Sequence, residues 1–323
     1  MTHPPVQKRP QITVARLIPS QRDIKFRTAV YMMLLCTLFG ANAVAIKVTF
    51  EGFGIFTAAA LRFGIAAAII ALWAHFSGRS FRLQRGQWKV LLVYSVLFTA
   101  QLSLFFTGLN RTYASRGTLL INLLPFLILL LAHFFIPGDR ITRRNLVGLI
   151  LGFGGVVSVF AGQETLTGDI RTGDGLVLAA TFIWACNTVF IKRVIDRFHP
   201  FHIVFYSMLF ALPFFILEAW LFDAAAVQRF SLRALTGLGY QTFVTASFGF
   251  IAWNTLLKTY GAVALHSFVF IMPLVGVVLS GWILDEPLHP NLWLALILIV
   301  AGILVIHFKP LRGLPAFPLR RHM

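Results

Sequence analysis

Long apolar runs separated by short polar segments fill most of the chain. A transmembrane helix needs about 20 mostly apolar residues, and we count ten runs near this length. The runs are 28–46, 52–78, 90–110, 117–138, 145–163, 175–191, 198–217, 234–257, 259–284 and 287–307. They predict an all-α integral membrane protein with ten transmembrane helices and no room for a soluble catalytic domain.

Composition agrees with this pattern. Of the 323 residues, 58% are apolar and only 12% are charged, whereas soluble domains carry about 25% charged residues. So little charge cannot cover the surface of a soluble protein with polar groups. A disordered protein is also excluded, because disordered chains are poor in apolar residues. The two cysteines, Cys36 and Cys186, lie in apolar runs and form no disulfide framework or metal-ligand spacing. We therefore expect no metal and no cofactor.

The positive residues alternate between the loops. If the N-terminal tail is cytoplasmic, cytoplasmic segments hold 21 Lys and Arg residues and the opposite side holds five. This bias predicts cytoplasmic termini, with basic tails at 1–27 and 309–323, in a multi-pass protein of the inner membrane. The net charge of +17 is then a signal of orientation and not of nucleic-acid binding. The five outer basic residues are Arg111, Arg116, Arg171, Arg229 and Arg233.

An internal repeat divides the chain. The motif aromatic-x-x-Asn-x-x-x-Ile-Lys occurs from Phe39 to Lys47 in the first run and from Trp184 to Lys192 in the sixth, 145 residues later. We infer two halves of five helices each, 28–163 and 174–308. Because five is odd, the second half must cross the bilayer in the opposite sense. Inverted repeats with binding sites near the midplane recur in secondary transporters.

A second repeated feature is a proline in the middle of a span. Thr112 and Tyr113 precede the fourth run, which contains Pro125, and a Thr-Tyr pair at 259–260 opens the ninth run, which contains Pro273. Proline kinks a helix and frees carbonyl groups. Pro125 and Pro273 are therefore candidate hinges.

These repeated motifs resemble the first-helix motif of EamA-type members of the drug/metabolite transporter superfamily. Two further segments are similar to sequences of the same family. They are 60–63, which contains Arg62, and 284–288, which contains Asp285 and Glu286. The resemblance covers about residues 28–308 and implies two EamA repeats around a central cavity, cytoplasmic termini and transport of small metabolites, often outward. The second half keeps Pro200 but has no arginine that matches Arg62.

Polar and aromatic side chains near the span centres are candidates to line the substrate cavity. Buried amides in a bilayer need polar partners, which a cavity supplies; the alternative is hydrogen bonding between helices. The candidates are Asn42, Gln101, Trp184, Asn187, Trp253 and Asn254.

Four charged residues are candidates for ionic or coupling roles. Lys47 and Lys192 lie at span ends, where long side chains reach the interface, although their matched spacing keeps a functional role open. Arg62 either bonds carbonyl groups of a neighbouring helix or binds an anion such as a carboxylate. Glu218 is either a solvated carboxylate near the outer end or a proton-coupling group. Three charged residues belong to none of the loops, and we expect them in the spans or at their edges. These residues are Lys47, Arg62 and Glu218.

The predicted function is secondary transport of small metabolites, such as amino acids, across the inner membrane, with export by alternating access. The alternatives are an uptake permease or a nucleotide-sugar-type antiporter of the same superfamily and, in other classes, an integral-membrane enzyme or a scaffold. Walker-type, HExxH and GxSxG motifs are absent from the sequence, so we expect no catalytic residues. The expected partners are a small-molecule substrate and the lipid bilayer. A glycine-rich face in the fifth run, from Gly148 to Gly155, makes a homodimer contact conceivable.

Overall fold

The computed structural model describes residues 26–136, 141–161, 168–194, 198, 200–253, 255–256, 259–260 and 268–307. These residues form α-helices and one π-helical segment, Tyr240–Gly249. The α-helices are α1 Phe26–Gly40, α2 Asn42–Phe50, α3 Ile55–Phe76, α4 Gln87–Arg111, α5 Ala114–Ile121, α6 Leu124–Phe135, α7 Arg143–Phe160, α8 Gly168–Val194, α9 Pro200–Phe222, α10 Leu232–Gly239, α11 Ile271–Ile283 and α12 Pro290–His307.

Seven helical spans of the described residues are long and apolar enough to cross a membrane. Helices α1 and α2 together form one of them, Phe26–Phe50, and α5 and α6 form another, Ala114–Phe135. Each of the first seven predicted runs overlaps one of these spans. The eighth run contains the π-helix and all of α10 except its first two residues, and the last two runs correspond to the shorter apolar helices α11 and α12. The protein is therefore an all-helical, multi-pass membrane protein, and the number of ten spans stays a prediction.

The helix packing follows the proposed repeat. The most extensive contacts join α7 to α12, α4 to α8, and α3 to α9. Exchanging the two halves maps the first and third pairs onto themselves, because their members come from matching runs. The same exchange relates the α4–α8 contact to a contact between the eighth run and the first run. That contact is present, because α10, from the eighth run, packs against α2, from the first. It also relates the α6–α8 contact to the α1–α11 contact.

Two spans are interrupted near their centres. The first breaks at Ala41, directly before Asn42, and the fourth breaks at 122–123, so that Pro125 lies in the first turn of α6. Pro273 occupies a similar place in the first turn of α11, after a turn at 268–270. Proline fits a first helical turn because its missing N–H has no partner there in any case. Whether either proline acts as a hinge stays a prediction.

Glycines let α4 and α8 approach each other closely. A Cβ at Gly173 would lie 2.7 Å from the Thr112 nitrogen and 2.8 Å from the Gly108 oxygen, both of them backbone atoms. Backbone cannot move aside as a flexible side chain can. This contact holds the start of α8 against the end of α4.

We expect Gly173→Ala to destabilise the protein by about 1–3 kcal/mol, because overpacking forces backbone shifts. Gly175→Ala is the matched control, since a Cβ at Gly175 meets nothing within 4 Å. The measurement is the melting temperature of each variant in detergent. Equal melting temperatures for the two variants would show that the close approach does not matter.

The glycine face of α7 packs inside the chain. A Cβ at Gly148 would lie 3.0 Å from the Gly302 oxygen, and one at Gly155 would lie 3.0 Å from the Ala295 oxygen, both on α12. These glycines therefore serve close packing within the protein. The homodimer stays a prediction that this face does not support.

Candidate substrate-binding site

Arg62 is buried in the middle of the bundle. The helix α3 begins at Ile55, and Arg62 shares a face with Ala59 and Ala66, which are spaced by three and four residues. Both alanines are fully buried, and Arg62 is only 9% exposed. Their small side chains leave room for the long arginine side chain beside neighbouring helices. The guanidinium carbon lies 5.0 Å from the centroid of the Phe63 ring.

The partners of the Arg62 guanidinium are neutral and come from the π-helix. Nη1 donates to Gln241 Oε1 at 3.2 Å. Nη2 lies 3.5 Å from Thr245 Oγ1, at the limit of a hydrogen bond, and Nε has no partner among the residues that the structure describes. The site thus holds a buried cation with part of its donor capacity unused.

The same two π-helix residues reach α2. Thr245 Oγ1 donates to Asn42 Oδ1 at 2.9 Å, and Gln241 Nε2 donates to Thr49 Oγ1 at 2.7 Å. Asn42, Thr49, Arg62, Gln241 and Thr245 therefore form one connected group, which we call the polar cluster. It joins α2 and α3 of the first half to the second half.

The π-helix positions the second-half members of this cluster. Its 10 residues, Tyr240–Gly249, form an unusually long π-helical segment, since such segments are mostly single turns and are frequent at functional sites. Gln241 and Thr245 are 1% and 2% exposed, so both side chains point into the bundle. The π-helical backbone thus presents two polar side chains to Arg62.

A second polar region lies at the end of the bundle that carries Glu51, Asp174, Asp223 and Glu286, which we call the acidic end. Arg116 forms an ion pair with Asp174, and the two side chains are 2% and 0% exposed. Arg116 Nη2 also donates to the Val159 oxygen at 2.8 Å, and Thr112 Oγ1 donates to Asp174 Oδ1 at 2.6 Å. The pair fastens the start of α5 to the start of α8.

Arg116, which the sequence analysis assigns to the outer side between the spans, lies within helix α5. The spans begin earlier than the apolar runs suggest, at Ala114 and Gly168, so Arg116 and Asp174 lie inside them. Each charge can lie there because the other neutralises it. Glu286 lies in the loop between α11 and α12 and is 8% exposed.

Two carboxylates of the second half cap helices of the first half at this end. Glu286 accepts hydrogen bonds from the Ala114 and Ser115 nitrogens, at 2.5 and 2.9 Å, and from Ser115 Oγ. Asp223 accepts from the Phe56 and Thr57 nitrogens, at 3.2 and 2.7 Å. Unpaired N–H groups and the helix dipole at an N-terminus favour such anions. Both contacts tie the two halves together.

Lys47 borders a cleft at the acidic end. Its Nζ donates to the Thr112 oxygen at 2.7 Å. On α2, Lys47 follows Asn42 by five residues, so the two side chains point in directions about 140° apart. The cleft has a volume of about 360 Å³ and is lined by Lys47, Phe50, Glu51, Asn110, Tyr113, Leu284 and Glu286.

No hydrogen bond of the described residues joins Gln101, Trp184, Asn187 or Trp253 to the polar cluster. Gln101 and Asn187 are 3% and 1% exposed, and Gln101 Oε1 and Asn187 Oδ1 have no hydrogen-bond partner. Trp184, by contrast, is 36% exposed. The Trp253 ring packs edge-on against Phe39, with centroids 5.7 Å apart. These residues keep their predicted roles only as proposals.

Glu218 is half-buried in α9, and both of its carboxylate oxygens lie 2.8 Å from Ser103 Oγ on α4. Asn254 lies outside the described residues. Of Lys192, only the backbone within α8 is described. Among the described residues, no group of three or more His, Cys, Asp or Glu side chains could hold a metal ion.

Reasoning from the sequence missed three members of the polar cluster. Thr49 lies seven residues after Asn42, which returns it to within about 20° of the same helix face. Gln241 and Thr245 interrupt an apolar run four residues apart. Both spacings are visible in the sequence, but only the fold shows that they face Arg62.

Comparison with known proteins shows which family has this architecture. The profile of the EamA-like transporter family matches residues 26–161 and again 171–308. The chain belongs to the EamA-like transporter family. The prediction of an EamA-type transporter is thereby confirmed.

This EamA-family transporter has several relatives of similar length. It is 27% identical over 291 residues to the "Probable amino-acid metabolite efflux pump" of Escherichia coli (strain K12), covering 86% of this chain and 94% of the relative. It is 25% identical over 283 residues to the "Uncharacterized transporter YyaM" of Bacillus subtilis (strain 168), covering 85% and 92%. A solved structure described as "Crystal structure of protein" matches with a TM-score of 0.64 and 20% identity, covering 87% of this chain and 96% of that one. The last likeness concerns the fold alone.

Proposed function

We propose that this transporter exports small metabolites of the amino-acid class across the inner membrane. It does so by alternating access between two inverted halves of five helices each, with both termini in the cytoplasm. The observation that carries the proposal is the buried polar cluster, in which both halves contribute side chains to one site. The relative named as an amino-acid metabolite efflux pump supports the substrate class.

The packing of the helices supports the inverted halves. Exchanging the halves relates one helix contact to another, as the α6–α8 and α1–α11 pairs illustrate. A site between two similar halves can open to either side when one half rocks against the other. The breaks before Asn42 and Pro125 provide places for the spans to bend.

The acidic end supports the gating part of the proposal. There, Asp223, Glu286 and Asp174 of the second half bind α3 and α5 of the first. We interpret this arrangement as a closed gate. Access to the polar cluster from this end then requires these three carboxylates to release their partners.

The experiment is efflux from proteoliposomes. Vesicles that contain the purified protein are loaded with an equimolar mixture of L-amino acids, and mass spectrometry follows which compounds leave. We expect one or a few amino acids to leave at least tenfold faster than from protein-free vesicles. A requirement for external amino acid would instead indicate an antiporter, and no efflux above that of protein-free vesicles would contradict the proposal. Repeating the assay with an imposed pH gradient tests proton coupling, for which Glu218 is the candidate.

A further inference from the structure

Among the described residues two arginines, Arg62 and Arg116, are buried, and they differ in which groups bond the guanidinium. In Arg116, Nε lies 2.9 Å from Asp174 Oδ2, and Nη2 bonds the same carboxylate. In Arg62, Nε has no partner and Nη2 has only the 3.5 Å contact with Thr245. The edge that binds a carboxylate in Arg116 therefore has no carboxylate bonded to it in Arg62.

This edge has a definite chemistry. The N–H groups of Nε and Nη2 point in the same direction and lie in one plane, about as far apart as the two oxygens of a carboxylate. In Arg62, the remaining nitrogen, Nη1, is already engaged by Gln241. The side chain is thus fixed at one corner while its two-pronged edge stays free.

The charge of Arg62 is also uncompensated within the described residues. Their ion pairs join Arg116 to Asp174 and Arg233 to Glu51, and neither involves Arg62. Its neighbours in the polar cluster are two amides and two hydroxyls, which carry no charge. Arginine does not lose its proton in proteins, so a buried guanidinium is stable only with an anion or many acceptors.

We propose that Arg62 binds the carboxylate of the transported molecule through its Nε–Nη2 edge. This proposal rests on the proposed function, and it assigns the substrate class to a named contact. Thr245 Oγ1 lies beside this edge and is 2.9 Å from Asn42 Oδ1.

A purely structural Arg62 makes different predictions. If the guanidinium only ties α3 to the π-helix, its replacement slows transport of every compound equally. If it binds a carboxylate, the protein prefers amino acids to their amides, which keep the ammonium group and side chain but lack the main-chain carboxylate. A carboxylate placed inside the site should then compete with substrate.

Gln241→Glu makes that internal carboxylate, because Glu is nearly isosteric with Gln and lies beside Arg62. We expect this variant to melt at a higher temperature than the wild type and to lose at least tenfold in amino-acid efflux. Arg62→Gln should lose the preference for amino acids over amides. Arg62→Lys, which keeps the charge but not the two-pronged edge, should retain part of that preference. Arg85→Gln, at an exposed position, is the control for loss of one positive charge.

The test compares efflux of a mixture of L-amino acids with that of their amides, omitting Asp and Glu, together with the melting temperature of each protein with each mixture. Amino acids leaving at least tenfold faster than amides, with the effects above, support the assignment. Equal efflux of both mixtures from wild-type vesicles leaves the proposed function standing and overturns the role of Arg62. If nothing is transported but amino acids raise the wild-type melting temperature and not that of Gln241→Glu, the proposed function fails and the Arg62 site stands. If neither transport nor stabilisation by amino acids occurs, both fail.

Discussion

Replacing Arg116 by Met should destabilise the protein by about 3–5 kcal/mol, the usual cost of leaving a buried charge without its partner. Asp174 is fully buried, and after the substitution it keeps only Thr112 among the side-chain donors that bond it in this structure. The Val159 oxygen also loses its bond from Arg116. The measurement is unfolding of the purified protein in mixed micelles, followed by circular dichroism.

A second substitution tests whether the lost stability comes from the charge. In the double variant Arg116→Met and Asp174→Leu, no buried charge is left, and apolar replacement of a whole pair is often nearly neutral. We expect the double variant to regain most of the stability lost by Arg116→Met. If the single variant unfolds within 1 kcal/mol of the wild type, our account of the acidic end is wrong.

Removing both carboxylate caps should cost about 2–4 kcal/mol in the double variant Asp223→Ala and Glu286→Ala. Loss of one helix cap costs about 0.5–2 kcal/mol, and hydrogen bonds to charged groups lie at the upper end of such values. The two caps serve different helices, α3 and α5, so their effects should add. Melting temperatures of both single variants and of the double variant check this sum.

The control for the caps is Asp285→Asn, which removes a charge next to Glu286 without touching α5. Asp285 has a φ of 52°, and asparagine tolerates this left-handed conformation as aspartate does. This turn follows α11 and brings Glu286 back toward α5. A loss of stability in Asp285→Asn equal to that in Glu286→Ala would contradict the capping role.

Much of the architecture was predictable from the sequence because the bilayer imposes a length and a polarity on each helix. The apolar runs identified the first seven spans, and the duplicated motif at Phe39 and Trp184 indicated the repeat and the family. Run ends were less predictable, because a charge can lie inside a span when a distant residue pairs with it. Arg116 illustrates this, since its partner Asp174 is 58 residues away.

The candidate site was predictable only in part. Asn42 and Arg62 were named from the cost of burying polar groups in a bilayer, which is a local property of each residue. Their meeting through Thr245 depends on a π-helix in the second half, which no local pattern in an apolar run specifies. Gln101, chosen by the same argument, is buried without joining the cluster.

Alternating access at the polar cluster is the central claim, and access to position 42 tests it most directly. The protein carries Asn42→Cys with Cys36 and Cys186 replaced by Ser, and a membrane-impermeant thiol reagent is applied to each side of reconstituted vesicles in turn. We predict that Cys at this position is modified from both sides, that amino-acid substrate changes the two rates in opposite directions, and that modification stops efflux. Modification from neither side, or from one side at a rate that substrate leaves unchanged, would contradict the account.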